Sequence, residues 1–115
     1  MLRLALLQVL VPASPADIRE CLAGTHPAGP EAPCCLACLP ELFHTNYSSL
    51  PLHDQSFESS LLPAIGDFAR RNPGTVIAGS LSAVRHGRRT NSLTMFHRDD
   101  VLPLYDKLHL FRPMR

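Results

Sequence analysis

Runs of apolar residues of strand length recur along the chain and predict a β-sheet. The five runs are Leu2 to Val11, Cys34 to Leu39, Thr75 to Arg85, Thr90 to His97 and Val101 to Leu110. Pro12 and Pro40 end the first two runs, because proline cannot donate a hydrogen bond to a neighbouring strand. A turn at His86-Gly87-Arg88 joins the third run to the fourth as a hairpin, and Arg98-Asp99-Asp100 turns the chain again.

Two segments between these runs carry apolar residues at helical spacing. The first helix is predicted to begin at Ser14, a favoured N-cap residue, and to stop near Gly24, after which glycine and proline recur. The second is an amphipathic helix from Ser59 to Arg71, with an apolar stripe along one side. Ser60 as its N-cap would place Pro63 in the first turn, where the missing N–H costs little.

The order of these elements predicts one α/β domain. Strand, helix, strand, helix and then three consecutive strands indicate a layered structure with a mixed sheet. A length of 115 residues allows a single domain with a modest core. The polar segment Leu42 to Asp54 is expected to form a loop.

Composition narrows the classes of protein further. Hydrophobic residues make up 45% of the chain, and the net charge is +1. This argues against intrinsic disorder, and it leaves no basic surplus for binding nucleic acid or an anionic membrane. No apolar run reaches the ~20 residues that span a bilayer. The N-terminal apolar stretch is either a very short signal peptide or a buried strand, and the interrupting Gln8 and Pro12 favour the strand.

Three interpretations apply to the cysteines, which are Cys21, Cys34, Cys35 and Cys38. An even number in a short secreted chain is typical of disulfides. Cys35 and Cys38 form a C-x-x-C motif followed by His44, but no second ligand pair for zinc is present. Buried structural cysteines are favoured, because the segment is otherwise apolar and strand-like. The histidines are spread too evenly to predict a metal site.

Glu41 and Lys107 are the candidate catalytic residues. Glu41 follows an apolar strand at the edge where layered α/β sheets bind ligands, and desolvation there would raise the pKa of a general base. The alternative for Glu41 is a turn cap or a solvated loop residue. Lys107, the only lysine, either stabilises negative charge that develops on a substrate or is a surface cation. We expect both side chains to converge on a shared pocket at the edge of the sheet.

Four segments together resemble the N-terminal part of the nitrilase superfamily, the carbon–nitrogen hydrolases. They are Leu2 to Gln8, Cys38 to Phe43, Val76 to Ser80, and Asn91-Ser92 leading to Tyr105 to Phe111. The most specific pair is Leu-Pro-Glu-Leu-Phe around Glu41 and Tyr-Asp-Lys-Leu-His-Leu-Phe around Lys107. The resemblance implies a partial α-β-β-α sandwich with a mixed sheet, and it extends over essentially the whole chain.

The resemblance also implies a reaction. Family members hydrolyse a non-peptide amide, nitrile or N-carbamoyl group with a glutamate, a lysine and a cysteine and with no cofactor. The glutamate of the family maps to Glu41 and acts as base, and the lysine maps to Lys107 and stabilises the tetrahedral species. The expected partner is therefore a small-molecule amide or nitrile, with no nucleic acid and no membrane. We expect a cytoplasmic location and, for the complete parent, a homo-oligomer.

The nucleophile is where this sequence departs from the family. The family's cysteine lies well beyond the lysine, and none of the four cysteines here occupies a matching position. We therefore expect residues 1–115 to be the N-terminal portion of a hydrolase domain, truncated before the nucleophile strand and inactive alone. An incomplete sheet would leave an apolar face and edge exposed. The alternatives are an inactive interaction module of the same fold and a small secreted cysteine-bridged protein. The branch (amidase, nitrilase or carbamoylase) is left open.

Overall fold

The computed structural model describes residues 3–10, 13–25, 34, 36–41, 43, 55–72 and 74–108. It contains five strands and two helices in the predicted order. The strands are β1 (Leu4–Leu6), β2 (Leu36–Glu41), β3 (Thr75–Arg85), β4 (Arg88–His97) and β5 (Asp100–Asp106). The helices are α1 (Pro15–Ala23) and α2 (Gln55–Arg71). Most of the predicted loop at 42–54 lies outside the described residues.

The strands form one mixed sheet in the order β1-β2-β3-β4-β5. β1, β2 and β3 run parallel, whereas β4 and β5 each pair antiparallel with the preceding strand. The crossovers of the parallel strands contain the two helices, as strand–helix–strand units require. This arrangement confirms the predicted α/β class with a mixed sheet.

Pro40 was expected to end the second strand, but β2 continues through it to Glu41. The N–H of Leu36 donates to the carbonyl of Arg3, and the carbonyl of Cys38 accepts from the N–H of Leu7, one residue before and one residue after β1. Alternate residues of β2 direct their N–H toward β1, and after Cys38 the next such position is residue 40. Residue 40 is proline, which has no N–H to donate. Pro40 therefore ends the pairing with β1, so that β1 is shorter than predicted, while β2 continues alongside β3.

The structure confirms the predicted limits of helix α1. The Ser14 side chain accepts from the backbone N–H of Asp17, and the Asp17 carboxylate accepts from the backbone N–H of Ser14. These reciprocal bonds form a capping box, and the Ser14 hydroxyl holds the pKa of the Asp17 carboxyl below its ordinary value. Gly24 caps the other end.

The predicted start of α2 was wrong. The helix begins at Gln55, so Pro63 lies in its interior and not in its first turn. An interior proline costs about 3 kcal/mol. Fully burying Leu61 and Ile65, which are both 0% exposed, contributes roughly 1.5–3 kcal/mol each and offsets that cost. The ring of Pro63 lies at the exposed side of the helix.

The core lies between the helices and one face of the sheet. Its members are all buried and apolar, and the largest are Phe43, Phe96, Ile18, Leu22, Leu61, Ile65 and Val76. Ala37, Leu39 and Ala78 contribute to it from alternate positions of β2 and β3. The intervening residues on these strands are only half-buried, and Leu4 and Leu6 of β1 are 54% and 76% exposed. Among the described residues, nothing covers this second face, as expected for an incomplete sandwich.

No helix in the described part of the chain is long and apolar enough to cross a membrane.

Candidate functional site

Glu41 and Lys107 meet at the carboxyl end of β2. Oε1 of Glu41 accepts a hydrogen bond from Nζ of Lys107 at 3.0 Å, across 66 positions of sequence. Glu41 is the last residue of β2, and Lys107 directly follows β5. Their side chains are 49% and 43% exposed, so the pair is accessible to solvent. The expected convergence of these two residues is therefore present in the structure.

Asn91 of β4 lies between them. Its side-chain Nδ2 donates to the same Oε1 of Glu41 at 2.9 Å. Its backbone carbonyl accepts from the backbone N–H of Lys107, also at 2.9 Å. Asn91 is only 8% exposed. The three residues thus form one connected polar site at the end of the sheet.

The electrostatics of Glu41 differ from the sequence-based expectation. The hydrogen bond from the Lys107 ammonium lowers the pKa of the Glu41 carboxyl below its ordinary value, and the bond from Asn91 and the Lys107 charge act in the same direction. Partial burial raises the pKa but is outweighed. The prediction of a raised pKa was wrong because Glu41 is half-exposed and directly paired. Glu41 is therefore an ionised proton acceptor at neutral pH.

Two β-bulges flank the site. In β3, Gly79 and Ser80 together lie opposite a single residue of β4, Leu93. In β5, Leu104 is the extra residue, because Pro103 and Tyr105 pair with adjacent residues of β4. Each extra residue shifts which side chains share a face of the sheet, since the side-chain period of a strand is two.

The bulge in β5 determines that a lysine, and not an aspartate, faces Asn91. With regular pairing beyond Pro103, Asp106 would lie opposite Asn91; the extra residue moves Lys107 to that position. The bulge in β3 changes the position of Ser80, which pairs with Glu41 in register. With regular pairing, Ser80 would lie opposite Ser92, which is next to Asn91 in sequence and therefore on the other face of the sheet. With the bulge, Ser80 lies opposite Leu93, which is on the same face as Asn91.

Gly79 allows β3 to approach β2 directly before Glu41. A Cβ on Gly79 would lie 1.7 Å from the carbonyl oxygen of Leu39 and 2.8 Å from the carbonyl carbon of Pro40. No side chain fits at such distances, so only glycine is compatible with this backbone position. Gly79 therefore belongs to the construction of the site, although it has no chemistry of its own.

A second polar contact anchors the chain next to Lys107. The hydroxyl of Ser92 forms hydrogen bonds with the carboxylate of Asp106 and with the hydroxyl of Thr90. Ser92 is 1% exposed, so this contact fixes the end of β5 from the interior. It restricts the backbone from which the Lys107 side chain extends.

None of the three cysteines that the structure describes joins the site. Cys34 is buried, its thiol bonds to backbone carbonyls, and it fits the predicted structural role. Cys21 and Cys38 are half-buried and free, and burial raises the pKa of both thiols, which disfavours the reactive thiolate. Cys35 lies outside the described residues.

The two histidines that the structure describes lie away from Glu41 and Lys107. His86 is exposed in the predicted β3–β4 turn, and Nδ1 of His97 is 2.8 Å from the Thr75 hydroxyl. His44, His53 and His109 lie outside the described residues. In the ranges that the structure describes, no three histidine, cysteine or acidic side chains are grouped to hold a metal.

Sequence reasoning missed the part played by Asn91 and Gly79. Both fall within the segments that carry the family resemblance, but no position or role was assigned to them. A polar Asn91-Ser92 pair within an otherwise apolar strand was the available signal for the first. The bulges that bring Asn91 to Glu41 have no signature in hydrophobic alternation.

The fold is similar to part of the fold of two solved structures from the nitrilase superfamily of carbon–nitrogen hydrolases. One similar solved structure is XC1258 from Xanthomonas campestris, a CN-hydrolase superfamily protein described with an arsenic adduct in its active site; it aligns with a TM-score of 0.65 and 24% identity over 96% of this chain. Another is Nit3 from Saccharomyces cerevisiae, a member of branch 10 of the nitrilase superfamily, with a TM-score of 0.68 and 17% identity over 94% of this chain.

The likeness is one of fold, and it is partial in length. The chain covers 42% of XC1258 and 44% of Nit3, so it spans less than half of each. No protein-family model matches the sequence. No curated protein matches it significantly either.

Proposed function

We propose that this chain supplies the glutamate and the lysine of a carbon–nitrogen hydrolase active site. The substrate class is a non-peptide amide, nitrile or N-carbamoyl group, and residues 1–115 are the N-terminal portion of the catalytic domain. The observation that carries the proposal is the 3.0 Å contact between Glu41 and Lys107, which joins the two specific motifs of the sequence. The shared fold of XC1258 and Nit3 supports it.

The two side chains have complementary roles in this reaction. For an amide substrate, a cysteine thiolate attacks the carbonyl carbon after Glu41 accepts the thiol proton. The Lys107 ammonium stabilises the negative charge that develops in the tetrahedral species. The C–N bond then breaks, the leaving nitrogen takes the proton from Glu41, and an acyl thioester is left. Glu41 next accepts a proton from water, whose oxygen attacks the thioester and releases the acid and the thiol.

The nucleophile in this proposal comes from a segment outside residues 1–115. Cys38 lies three positions before Glu41 on the same strand, and burial keeps its thiol protonated. Glu41 and Lys107 thus form two of three catalytic groups. Without the third, the chain alone is expected to show no turnover.

The expected absence of turnover by the chain alone is tested by measuring ammonia release from simple amides and nitriles. The 115-residue chain is expected to release none above a heat-denatured sample. Release that the Glu41→Gln variant abolishes, and that the matched control Glu20→Gln on the exposed face of α1 retains, would contradict the assignment of the nucleophile to another segment.

A fused protein tests the roles of Glu41 and Lys107. The chain is joined to the portion of XC1258 that lies outside the aligned region, which in this proposal supplies the nucleophile, and ammonia release is measured. We expect Glu41→Gln and Lys107→Met to lower turnover at least a hundredfold, the range of general base and electrostatic contributions, and Glu20→Gln to leave it unchanged. Turnover that survives Glu41→Gln would refute the proposed function.

A second function is favoured by the exposed apolar surface. Leu4 and Leu6 on β1 and Val101, Leu102 and Leu104 on β5 are 44–76% exposed, far more than a core position allows. These side chains fit an inactive interaction module whose partner covers the sheet. A defined stoichiometric complex on size exclusion, together with an inactive fused protein, would favour this module over the hydrolase.

The free thiols of Cys21, Cys34 and Cys38 support the proposed cytoplasmic location, because oxidising compartments favour disulfides. They also argue against the cysteine-bridged secreted protein. Thiol counting under denaturing conditions tests both statements, and four reactive thiols are expected. The homo-oligomeric state of the complete parent stays a prediction, and the branch of the family stays open.

A further inference from the structure

Asn91 is the one described residue with hydrogen bonds to both Glu41 and Lys107. It donates to Glu41 through its side chain and accepts from Lys107 through its backbone, at 2.9 Å in each case. It lies on β4, the strand between the two bulged neighbours β3 and β5. A displacement of Asn91 would therefore act on both members of the pair.

We propose that Asn91 is the positioning residue of this site, which orients the Glu41 carboxylate and sets the backbone of Lys107 so that its ammonium reaches the same oxygen. The inference rests on the proposed function. Asn91 Nδ2 and Lys107 Nζ both donate to Oε1 of Glu41, so the carboxylate is held by two donors from different strands. Two such bonds restrict the rotation of a side chain that is otherwise half-exposed.

The residue type fits this function. An amide donates to a carboxylate without adding charge, whereas aspartate at the same position would repel Glu41 and alanine would remove one of its donors. Because the Lys107 ammonium already supplies the positive charge, a neutral donor orients the carboxylate and leaves the local charge balance unchanged.

Burial argues against a purely structural function for Asn91. Its Oδ1 is buried and has no hydrogen-bond partner within the described residues. An unpaired buried acceptor lowers stability, so this side chain is not the one that packing alone would favour. Ser80, the partner of Glu41 in register, has a buried hydroxyl in the same condition. Both unpaired atoms belong to residues next to Glu41, and none of the other buried side chains that the structure describes shares this property.

Titration of the Glu41 side-chain carboxyl carbon by NMR tests the inference on the 115-residue chain. Asn91→Ala is expected to raise the pKa of Glu41 toward its ordinary value, because a donor to the carboxylate is lost. Asn91→Asp, which keeps the shape, is expected to raise it further through repulsion. Thr94→Ala is the matched control: it removes another buried polar side chain of β4, on the helix-covered face, and is expected to lower stability without moving the Glu41 pKa.

The outcomes separate this inference from the proposed function. A folded Asn91→Ala or Asn91→Asp chain whose Glu41 titrates as in the unmodified chain would overturn the positioning function of Asn91. If Lys107→Met also left the Glu41 titration unchanged, the pair itself, and with it the proposed function, would be refuted. A raised pKa in Lys107→Met alone would leave the proposed function intact and refute only the inference about Asn91.

A measurement on the unmodified chain covers the case in which no Asn91 variant folds. The side-chain amide protons of Asn91 are expected to shift with pH in step with the Glu41 carboxyl, because they donate to it. Amide signals that stay constant through the Glu41 titration would contradict the inference without any substitution.

Discussion

The two halves of strands β2, β3 and β4, on either side of Gly79, follow different rules. In the half that contains Leu36 to Leu39 and Thr75 to Ala78, the strands pair regularly, and buried and half-buried positions alternate along them. At Gly79 the regular pairing of β3 with β4 breaks, and the polar residues Glu41, Ser80 and Asn91 lie in the half beyond it. The regular half contributes most of the core, and the irregular half contributes the site. Bulges are over-represented next to active sites because they redirect side chains that alternation would place elsewhere.

The two halves also differ in what their side chains contribute to stability. Val76 and Ala78 in the regular half are fully buried against the helices. The irregular half contains the unpaired buried atoms of Ser80 and Asn91, each of which costs about 1–3 kcal/mol. The regular half therefore contributes most of the stability. The irregular half contains groups that lower the stability, and it also contains the proposed active site.

The largest expected effect is in the regular half. Phe96 is 1% exposed, and Phe96→Ala should lower the free energy of unfolding by about 3–5 kcal/mol, because it removes an aromatic ring from a packed core. Val101→Ala is the control, since Val101 pairs with Phe96 in register but is 53% exposed. Urea unfolding compares the two. Equal losses would contradict the placement of the core on the helix side of the sheet.

A smaller effect is expected from Gly79→Ala in the irregular half. The new methyl group would overlap the Leu39 carbonyl, so β2 must move just before Glu41, at a cost of about 1–3 kcal/mol. Gly66→Ala in α2 is the control: a Cβ there meets nothing within 4 Å. It should stabilise the chain by about 0.5–1 kcal/mol, because alanine restricts the unfolded chain. Thermal unfolding midpoints that moved in the same direction for both variants would refute the close approach at Gly79.

An insertion after Leu104 tests the register that the bulge in β5 sets. With one alanine added there and the rest of the pairing kept, Asp106 lies opposite Asn91, so Glu41 should lose its ammonium partner and its pKa should rise. Deletion of Leu104 is the matched control: it removes the extra residue and leaves Lys107 opposite Asn91 in a regular ladder, so the pKa of Glu41 should stay low. NMR titration of both variants is the measurement. An insertion variant with an unchanged Glu41 pKa would show that this register does not place Lys107 beside Glu41.

The smallest expected effect is the contribution of the pair to stability. Because the folded-state pKa of Glu41 lies below its unfolded value, the stabilisation is complete above the ordinary value of 4.5 and is lost as the pH falls through the folded pKa. Both side chains are half-exposed, so the contribution is about 1 kcal/mol or less. The difference in free energy of unfolding between the unmodified chain and Lys107→Met should shrink on acidification and in high salt. A difference that grows toward low pH would contradict the lowered folded-state pKa of Glu41.

Regular elements could be predicted from the sequence because their signals are local. The cap at Ser14, the β3–β4 turn at His86-Gly87 and the strand limits of β3 follow from residue types over a few positions. His86 and Gly87 both adopt positive φ, of 51° and 73°, as a tight hairpin turn requires. The mixed sheet followed from the order of these elements.

The site could be predicted only in part, because its geometry depends on contacts between distant strands. The proximity of Glu41 and Lys107 was expected from the position of Glu41 at a strand end and from the family motifs that contain the two residues. The lowered pKa of Glu41, the function of Asn91 and the two bulges were not, since they depend on the register between β3, β4 and β5. The interior position of Pro63 was missed for a related reason, because packing of α2 outweighs a local helix-breaking preference.

The pairing of Glu41 with Lys107 is tested by the carboxyl titration of Glu41 in the unmodified chain and in Lys107→Met. We expect Glu41 of the unmodified chain to titrate below its ordinary value of 4.5, and Lys107→Met to move it upward while the fold is retained. Identical titration curves in the two chains would show that the ammonium does not face the carboxylate, and the proposed site would be refuted.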